Sequence, residues 1–330
     1  MKEADIRPRQ LFNRYLELVE HDAGVLLADR ADFVAVACPA CDGEGAESFV
    51  KHGYQYAECR ACGSLFLNPR PTAERMHRFY AEAESVRFWS SEFYRATAES
   101  RREAIFRPRA RMIAETADRF GVPPRARLAD VGAGYGLFLE EASAIGRFAD
   151  PLAIEPAESL AAVCRDKGFQ VIGKTAEAVA AGEVAADLVT AFEVIEHVNE
   201  PLTFLAAVAR LTAPRGIAVL TTLTASGFDI QVLWDAAKCV HPPHHINLMT
   251  TQGLTRLVGR AGLELIELTT PGRLDVDIVA NTLDERPDLP VGRFVSGLLA
   301  SPSSTRSEFQ NFLASNRLSS HVCIVVRRPG

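Results

Sequence analysis

The chain has 330 residues, of which 48% are apolar and 24% are charged, and its formal net charge is −6. This composition is that of an ordinary globular protein, and the negative charge disfavours a general nucleic-acid binder, which needs a basic surface. No uncharged apolar run approaches the roughly 18 residues that cross a bilayer, so we predict no membrane span.

The N-terminal region, residues 1–35, is predicted to contain one amphipathic helix. Apolar side chains recur at helical spacing over residues 8–28, among them Leu11, Tyr15 and Leu18. Charges are spread through the start of the chain, and the apolar core of a signal peptide is missing. We therefore expect a cytoplasmic protein. A reducing compartment also suits a chain in which four of seven cysteines form C-x-x-C pairs.

Residues 36–70 are predicted to form a zinc ribbon. Two C-x-x-C pairs, Cys38 with Cys41 and Cys59 with Cys62, are separated by 17 residues, a spacing typical of structural zinc sites. Four thiolates complete a tetrahedral ion and leave no open position, which predicts a structural rather than a catalytic metal. Two redox-active pairs are the alternative, although neither begins a helix of a βαβ unit.

Residues 71–125 are predicted to be helical, to be rich in arginine and to end at Pro123-Pro124. Several aromatic residues lie among the arginines, namely Phe88, Trp89, Phe93 and Tyr94. One interpretation is a lid over a binding site, with the arginines placed for an anionic substrate. The alternative is ordinary packing of helices that present a basic face to water.

A glycine-rich turn follows the next predicted strand. An apolar run that contains Asp130 leads into Gly132, Gly134 and Gly136, and a helical pattern comes directly after them. Glycines allow a turn with positive φ and the close approach of a ligand to the unpaired N–H groups of a helix N-terminus. The G-x-G-x-G spacing differs from the G-x-G-x-x-G of dinucleotide sites.

The region 126–330 alternates between predicted strands and helices. After the glycine turn, strands are predicted at 152–155, 169–172, 187–191, 217–223, 263–268 and 321–326, and helices at 157–167, 201–211 and 254–261, with a short helix after Thr175. This alternation predicts an α/β fold with a doubly wound, mostly parallel seven-stranded sheet. A polar, partly helical insert is expected at 275–318.

Two further strand ends carry polar groups toward the same crevice. Glu155 lies 23 residues after Gly132, where its carboxylate can accept hydrogen bonds from both hydroxyls of a ribose. NAD-binding sites also bind a ribose through a carboxylate in this position. The segment Phe192–His197, which contains Glu193 and Glu196, follows the strand at 187–191.

The order of these motifs resembles class I S-adenosylmethionine-dependent methyltransferases over residues 126–270. It comprises the glycine turn, Ile154-Glu155-Pro156, Val194–Val198, Pro214-Arg215-Gly216 and a late histidine-rich turn. The cysteine pairs and the following Asn68–Pro71 are similar to a zinc-binding module of bacterial sugar and small-molecule methyltransferases. The resemblance implies a Rossmann-like methyltransferase domain that binds S-adenosylmethionine, a structural Zn²⁺, and a small-molecule acceptor such as a sugar, nucleotide-sugar or polysaccharide precursor.

The resemblance also implies roles for individual residues. Asp130 would order the glycine turn, Thr175 and Ala176 would lie near the adenine, and Phe192 would line the pocket. The implied cofactor-binding set is Asp130, Gly132, Gly134, Gly136, Glu155, Thr175, Ala176, Phe192 and Glu193. The candidates for a base near the sulfonium are Glu196, His197, His241, His244 and His245. Each of these histidines can instead have a structural role. A metal-binding role is a further alternative, but the sequence shows no evident carboxylate partners for the histidine cluster.

Two other functions are considered. A nicotinamide-dependent oxidoreductase would need G-x-G-x-x-G and a catalytic Tyr/Lys or His dyad, which the chain lacks. A non-catalytic zinc-ribbon adaptor with a degenerate cofactor domain would be favoured if Gly132, Gly134 and Glu155 failed to form one cavity.

Overall fold

The computed structural model describes residues 2–330. The strands are β1 (Gly45–Lys51), β2 (Tyr54–Cys59), β3 (Leu65–Leu67), β4 (Ala126–Val131), β5 (Phe148–Ile154), β6 (Gln170–Ile172), β7 (Ala186–Phe192), β8 (Thr212–Leu223), β9 (Asn247–Leu248), β10 (Glu264–Thr269) and β11 (His321–Arg327). The α-helices are α1 (Glu3–Ile6), α2 (Arg9–Leu26), α3 (Ala73–Glu82), α4 (Glu84–Phe88), α5 (Tyr94–Arg101), α6 (Arg107–Arg119), α7 (Leu137–Ile145), α8 (Glu158–Asp166), α9 (Pro201–Leu211), α10 (Phe228–Leu233), α11 (Thr251–Arg260), α12 (Asp275–Glu285), α13 (Gly292–Leu299) and α14 (Ser303–Ser315).

The main sheet has seven strands in the order β10-β11-β8-β7-β4-β5-β6. Strands β4 to β8 pair in parallel, and β11 is antiparallel to both β8 and β10. The predicted seven-stranded, mostly parallel sheet is therefore confirmed. Its central strands are nearly continuous apolar runs because helices cover both faces, and Leu188 and Val189 of β7 are fully buried.

A second, antiparallel sheet has the order β1-β2-β3-β9. Its first three strands belong to the cysteine segment, whereas β9 comes from the far region of the chain and pairs Leu248 with Leu65. The sequence pattern does not predict β9, because two residues are too few to carry a periodicity. The cysteine segment and the region 126–330 therefore share a sheet, and their separation at residue 70 remains a prediction about the sequence.

The helical regions lie close to their predicted positions. Helix α2 falls within the predicted range 8–28, and α12 to α14 occupy the insert at 275–318. Between α4 and α6 the chain contains two π-helical turns, Trp89–Phe93 and Arg102–Phe106, on either side of α5. Among the helices that the structure describes, none combines the length and apolarity that a membrane crossing requires.

Candidate active site

A cavity of about 440 Å³ lies at the carboxyl ends of β4, β5 and β7. Eleven of the residues predicted from the sequence line it: Asp130, Gly132, Gly134, Glu155, Phe192, Glu193, Glu196, His197, His241, His244 and His245. Gly136, Thr175 and Ala176 are not among its lining residues. A shallower depression of about 380 Å³ beside α11 and β10 contains none of the predicted site residues. The cavity is therefore the candidate site.

The glycine turn adopts the left-handed backbone that its sequence predicts. The φ angles are +73° at Gly132, +54° at Gly134 and +68° at Gly136. A Cβ on Gly132 would lie 2.8 Å from Val194 Cγ2, closer than side-chain packing allows. This position therefore needs glycine both for its backbone conformation and for the close approach of the segment after β7.

Glu155, which directly follows β5, hydrogen-bonds to the glycine turn. Its Oε2 accepts a hydrogen bond from the Gly134 N–H at 2.9 Å, and its Oε1 accepts one from the Ala157 N–H at 2.9 Å. Burial raises the pKa of Glu155, and the two N–H donors oppose that rise. Each carboxyl oxygen keeps a second lone pair, so Glu155 can hold the turn and still accept a ligand hydroxyl.

Asp130 lies beneath the turn on β4. Its Oδ1 accepts a hydrogen bond of 2.7 Å from the Thr190 hydroxyl, which links β4 to the neighbouring β7. Burial raises the pKa of Asp130 to about 7, an effect that the Thr190 hydroxyl and the charge of Arg109 partly offset. The hydrogen bond thus supports the sheet under the turn.

Glu193 follows β7 in a left-handed conformation, with φ at +56°. Its Oε1 accepts hydrogen bonds from the Thr221 hydroxyl at 2.6 Å and from His321 Nε2 at 3.0 Å, and Arg109 lies 3.4 Å away. Burial by itself would raise the pKa of Glu193, but His321 and Arg109 hold it well below its usual range. The cavity wall therefore carries a fixed negative charge here.

Glu196 is 1% exposed. Its Oε2 accepts a hydrogen bond of 2.8 Å from the Thr222 hydroxyl. Burial, together with the charge of Glu193, raises the pKa of Glu196 well above its usual range. This shift favours the neutral carboxylic acid, and in that form Glu196 cannot take a proton from an acceptor.

His197 and His245 are held by backbone carbonyl groups. His197 Nδ1 lies 3.0 Å from the His244 carbonyl oxygen, and His245 Nδ1 hydrogen-bonds to the carbonyl oxygen of Cys239. A carbonyl oxygen only accepts, so each Nδ1 carries the proton and each Nε2 keeps a free lone pair. The two ring centroids are 4.8 Å apart.

His241 and His244 complete the histidine side of the cavity. The Nε2 atoms of both are buried and lack hydrogen-bond partners among the described residues. Burial lowers the pKa of His197, His241 and His244 well below that of a free imidazole, and it also lowers that of His245. The shifts favour uncharged rings, each of which has a nitrogen lone pair.

The N-terminal segments cover the cavity. Tyr15 of α2 packs 4.6 Å from Trp89 and 6.0 Å from His244, measured between ring centroids. Trp89 and Tyr94 line the cavity, and the Tyr94 ring stacks on Tyr135 at 4.8 Å; the lid remains a prediction. The apolar stripe of α2 indicated only that its residues would be buried, so a role for Tyr15 at the site was not predicted.

Three arginines contribute positive charge to the cavity wall. Arg109 lies with Cζ 4.4 Å from the centre of the Phe192 ring, and Arg101 lies 5.1 Å from that of Tyr94. The Nε atoms of Arg101 and Arg7 are buried without a hydrogen-bond partner in the described part of the chain. The arginine content of residues 71–125 indicated positive charge near the site, whereas no sequence pattern indicated a role for Arg7.

The four predicted cysteines form one cluster. Their Sγ atoms all lie within 4.8 Å of one another, with 3.6 Å between Cys38 and Cys62 and 3.5 Å between Cys41 and Cys59. Thiolates about 2.3 Å from a tetrahedral zinc ion would be about 3.8 Å apart. The donor set therefore fits Zn²⁺. A Cβ on Gly43 would lie 3.0 Å from Cys59 Sγ, which explains a glycine beside the cluster.

This cysteine module also contacts the histidine-rich turn. The Tyr56 hydroxyl of β2 donates a hydrogen bond of 2.7 Å to the His245 carbonyl oxygen, and the Leu67 N–H donates to Ile246 at 3.0 Å. The Arg70 guanidinium reaches the Asn199 carbonyl oxygen at 2.8 Å. The module therefore helps to position one wall of the cavity.

Comparison with known proteins identifies similar chains. The methyltransferase domain family matches residues 98–268. A ubiquinone biosynthesis O-methyltransferase of Cereibacter sphaeroides is 39% identical over 102 residues, which are 29% of this chain and 41% of the relative. The corresponding protein of Xanthomonas axonopodis pv. citri is 36% identical over 160 residues, 44% of this chain and 66% of the relative. The chain thus spans less than two thirds of the length of these curated relatives.

A solved structure shares the fold. A chain from the complex of the Haloferax volcanii Trm112 methyltransferase activator superposes with a TM-score of 0.50 and 12% identity, covering 73% of this chain and 96% of that one. At this identity the likeness concerns the fold alone.

Proposed function

Because this chain belongs to the methyltransferase domain family, in the class I, S-adenosylmethionine-dependent group, we propose that it transfers a methyl group from S-adenosylmethionine to a small-molecule acceptor. One observation carries the proposal: the glycine turn, Glu155 and the histidine cluster line a single cavity. A donor site and an acceptor site are thereby within reach of each other.

The donor side fits the cofactor by its chemistry. The Glu155 carboxyl oxygens have lone pairs for ribose hydroxyls, and the glycine turn leaves room for a ligand beside its backbone. The Phe192 ring forms an apolar wall, and Arg109 stacked on it adds positive charge. When bound, S-adenosylmethionine supplies an activated sulfonium methyl group, so the protein mainly has to align the acceptor with it.

The acceptor side needs a proton acceptor. As the acceptor's lone pair forms its bond to the methyl carbon, the S–C bond breaks toward sulfur and the acceptor's proton leaves. We assign that proton to a neutral imidazole of the cluster formed by His197, His241, His244 and His245, because burial favours the protonated form of Glu196. Closure by Tyr15 and Trp89 keeps water from this step.

The charge of the cavity wall supports an anionic acceptor. Arg7 and Arg101 each have a buried Nε without a partner among the described residues, which supports an acceptor that carries phosphate or carboxylate, such as a nucleotide-linked sugar or a polysaccharide precursor. The relatives are O-methyltransferases by name, which favours oxygen as the methylated atom.

Two alternatives have less support. The relatives and the family point away from a nicotinamide-dependent oxidoreductase. A degenerate, non-catalytic adaptor would have lost the cavity, whereas here Gly132, Gly134 and Glu155 share one.

Calorimetry of the purified protein with S-adenosylhomocysteine and with NAD tests the donor. We expect S-adenosylhomocysteine to bind and NAD not to bind; the reverse result would contradict the proposal. Transfer of labelled methyl groups to pools of phosphorylated sugars, neutral sugars and phenols then tests the acceptor class. Label in the neutral or phenolic pool alone would contradict an anionic acceptor.

A further inference from the structure

We propose that Glu196, His197 and His245 bind a divalent transition-metal ion on the acceptor side of the cavity. The inference deepens the proposed function and rests on it for its chemical role, but the binding itself stands on the geometry. One ligand atom from each of the three side chains lies within 4.8 Å of the other two. Two imidazoles and one carboxylate are a common set for divalent transition metals with open positions.

The hydrogen bonds of both imidazoles prepare them to be ligands. Because His197 Nδ1 and His245 Nδ1 donate to the carbonyl oxygens of His244 and Cys239, only the Nε2 atoms have lone pairs. Metal-binding histidines are usually oriented in this way, with the second ring nitrogen held by a carbonyl or carboxylate. A bound ion would draw the ligand atoms to about 3.3 Å from one another, the spacing of tetrahedral ligands about 2.0 Å from a metal.

Two neighbouring side chains act on the Glu196 carboxyl group. Glu193, which is paired with Arg109 and His321, lies close to Glu196. Thr222 donates to one oxygen of Glu196, which orients the carboxyl group.

The three ligands leave coordination positions open toward the cavity that they line. An oxygen of the acceptor can occupy one of them, which lowers its pKa and makes it a better nucleophile. Its proton then passes to His241 or His244, whose Nε2 atoms on the same wall lack partners among the described residues. This ion is separate from the cysteine cluster, which offers thiolates and no open position.

Cobalt titration distinguishes the two sites. Protein purified with zinc in its cysteine cluster is titrated with Co²⁺, and binding is followed by calorimetry and by visible absorption. We expect one further equivalent to bind with the spectrum of nitrogen and oxygen ligation, without the intense sulfur-to-cobalt bands of a thiolate site. Absence of this equivalent in the wild-type protein would overturn the proposal.

Variants assign the ligands. Glu196→Gln, His197→Ala and His245→Ala are each expected to weaken binding of the extra Co²⁺ at least about tenfold. His241→Ala is the matched control, since it removes a buried cavity histidine outside the triad; it should keep the equivalent. Equal binding in all four variants would also refute the site. If an alanine variant fails to fold, the Co²⁺ stoichiometry of Glu196→Gln and of the wild-type protein still tests the site.

S-adenosylhomocysteine calorimetry on the same samples separates the two proposals. If S-adenosylhomocysteine binds but no second metal equivalent does, the metal site is refuted and the proposed function stands. If a second metal equivalent binds but S-adenosylhomocysteine does not, the proposed function is refuted and the metal site stands.

Discussion

The Tyr56 hydroxyl donates a hydrogen bond of 2.7 Å to the backbone carbonyl oxygen of His245. It joins a strand of the cysteine module to the histidine-rich turn across 189 positions of sequence. Nearby, β9 extends the sheet of the module by pairing with β3. The module is therefore part of the scaffold that positions the cavity's histidines.

Tyr56→Phe should impair methyl transfer while S-adenosylhomocysteine affinity stays unchanged, because the cofactor side of the cavity is untouched. The lost hydrogen bond leaves a buried carbonyl unpaired, which costs about 1–3 kcal/mol of unfolding free energy. Urea unfolding and initial rates measure the two effects. Tyr54→Phe is the matched control: the Tyr54 hydroxyl is buried without a partner in the described residues, so its removal should lower neither the stability nor the rate.

Cys59→Ser should release zinc and lower the unfolding temperature of the whole chain, since β3 and β9 share the sheet that the cluster anchors. Metal content and thermal unfolding are the measurements. Cys323→Ala removes a buried cysteine on β11 outside the cluster and should keep the zinc. A Cys59→Ser protein with full zinc content would remove this cysteine from the cluster.

Gly132→Ala should weaken S-adenosylhomocysteine binding more than about tenfold. The new Cβ would lie 2.8 Å from Val194 Cγ2, at a backbone φ of +73°. Gly182→Ala is the control that separates backbone strain from the steric contact with Val194. Gly182 also has positive φ, at +83°, but a Cβ there would meet no heavy atom of the described residues within 4 Å. We expect Gly182→Ala to lose about 1 kcal/mol of stability and no affinity. Equal affinity losses in both variants would contradict the close-contact argument.

Glu155→Ala should weaken S-adenosylhomocysteine binding and loosen the glycine turn, because both carboxyl oxygens accept backbone N–H groups there. Titration calorimetry measures the affinity. Glu158→Ala removes an exposed carboxylate three residues later whose partner is Arg165, and it should bind like the wild type. Unchanged affinity in Glu155→Ala would take that residue out of the site.

Asp130→Asn should stabilise the protein at alkaline pH. Burial raises the pKa of Asp130 to about 7, whereas an unfolded aspartate has a pKa of about 3.9. The folded state then holds a proton that the unfolded state has lost, so this group's contribution to stability falls as pH rises from about 4 to about 7 and stays low above that. The amide escapes this loss and still accepts the Thr190 hydroxyl.

Urea unfolding at pH 5 and pH 8 measures the effect. The stability of Asp130→Asn relative to the wild type should rise between these two pH values. A pH-independent difference for Asp130→Asn would show that the buried carboxylate does not titrate in this range.

Local patterns determined the α/β fold, the cofactor-side turn and the cysteine cluster. Parallel strands buried on both faces need continuous apolar runs, and the turn needs glycine at positions of positive φ, so both appear in short stretches of sequence. The cysteine pairs follow the geometry of one tetrahedral ion and are recognisable from their spacing alone. Each of these features is set by neighbours within a few residues or by a fixed interval.

The acceptor side was decided by tertiary structure. Glu196 meets His245, which lies 49 positions further along the chain, and Tyr15 of the N-terminal helix covers the same cavity. Glu196 and His197 are already neighbours in the sequence, whereas only the fold brings His245 beside them. Such contacts depend on how separate elements pack together, so no local periodicity encodes them. The raised pKa of Glu196 and the lowered pKa values of the histidines are likewise consequences of burial, which exists only once the chain has folded.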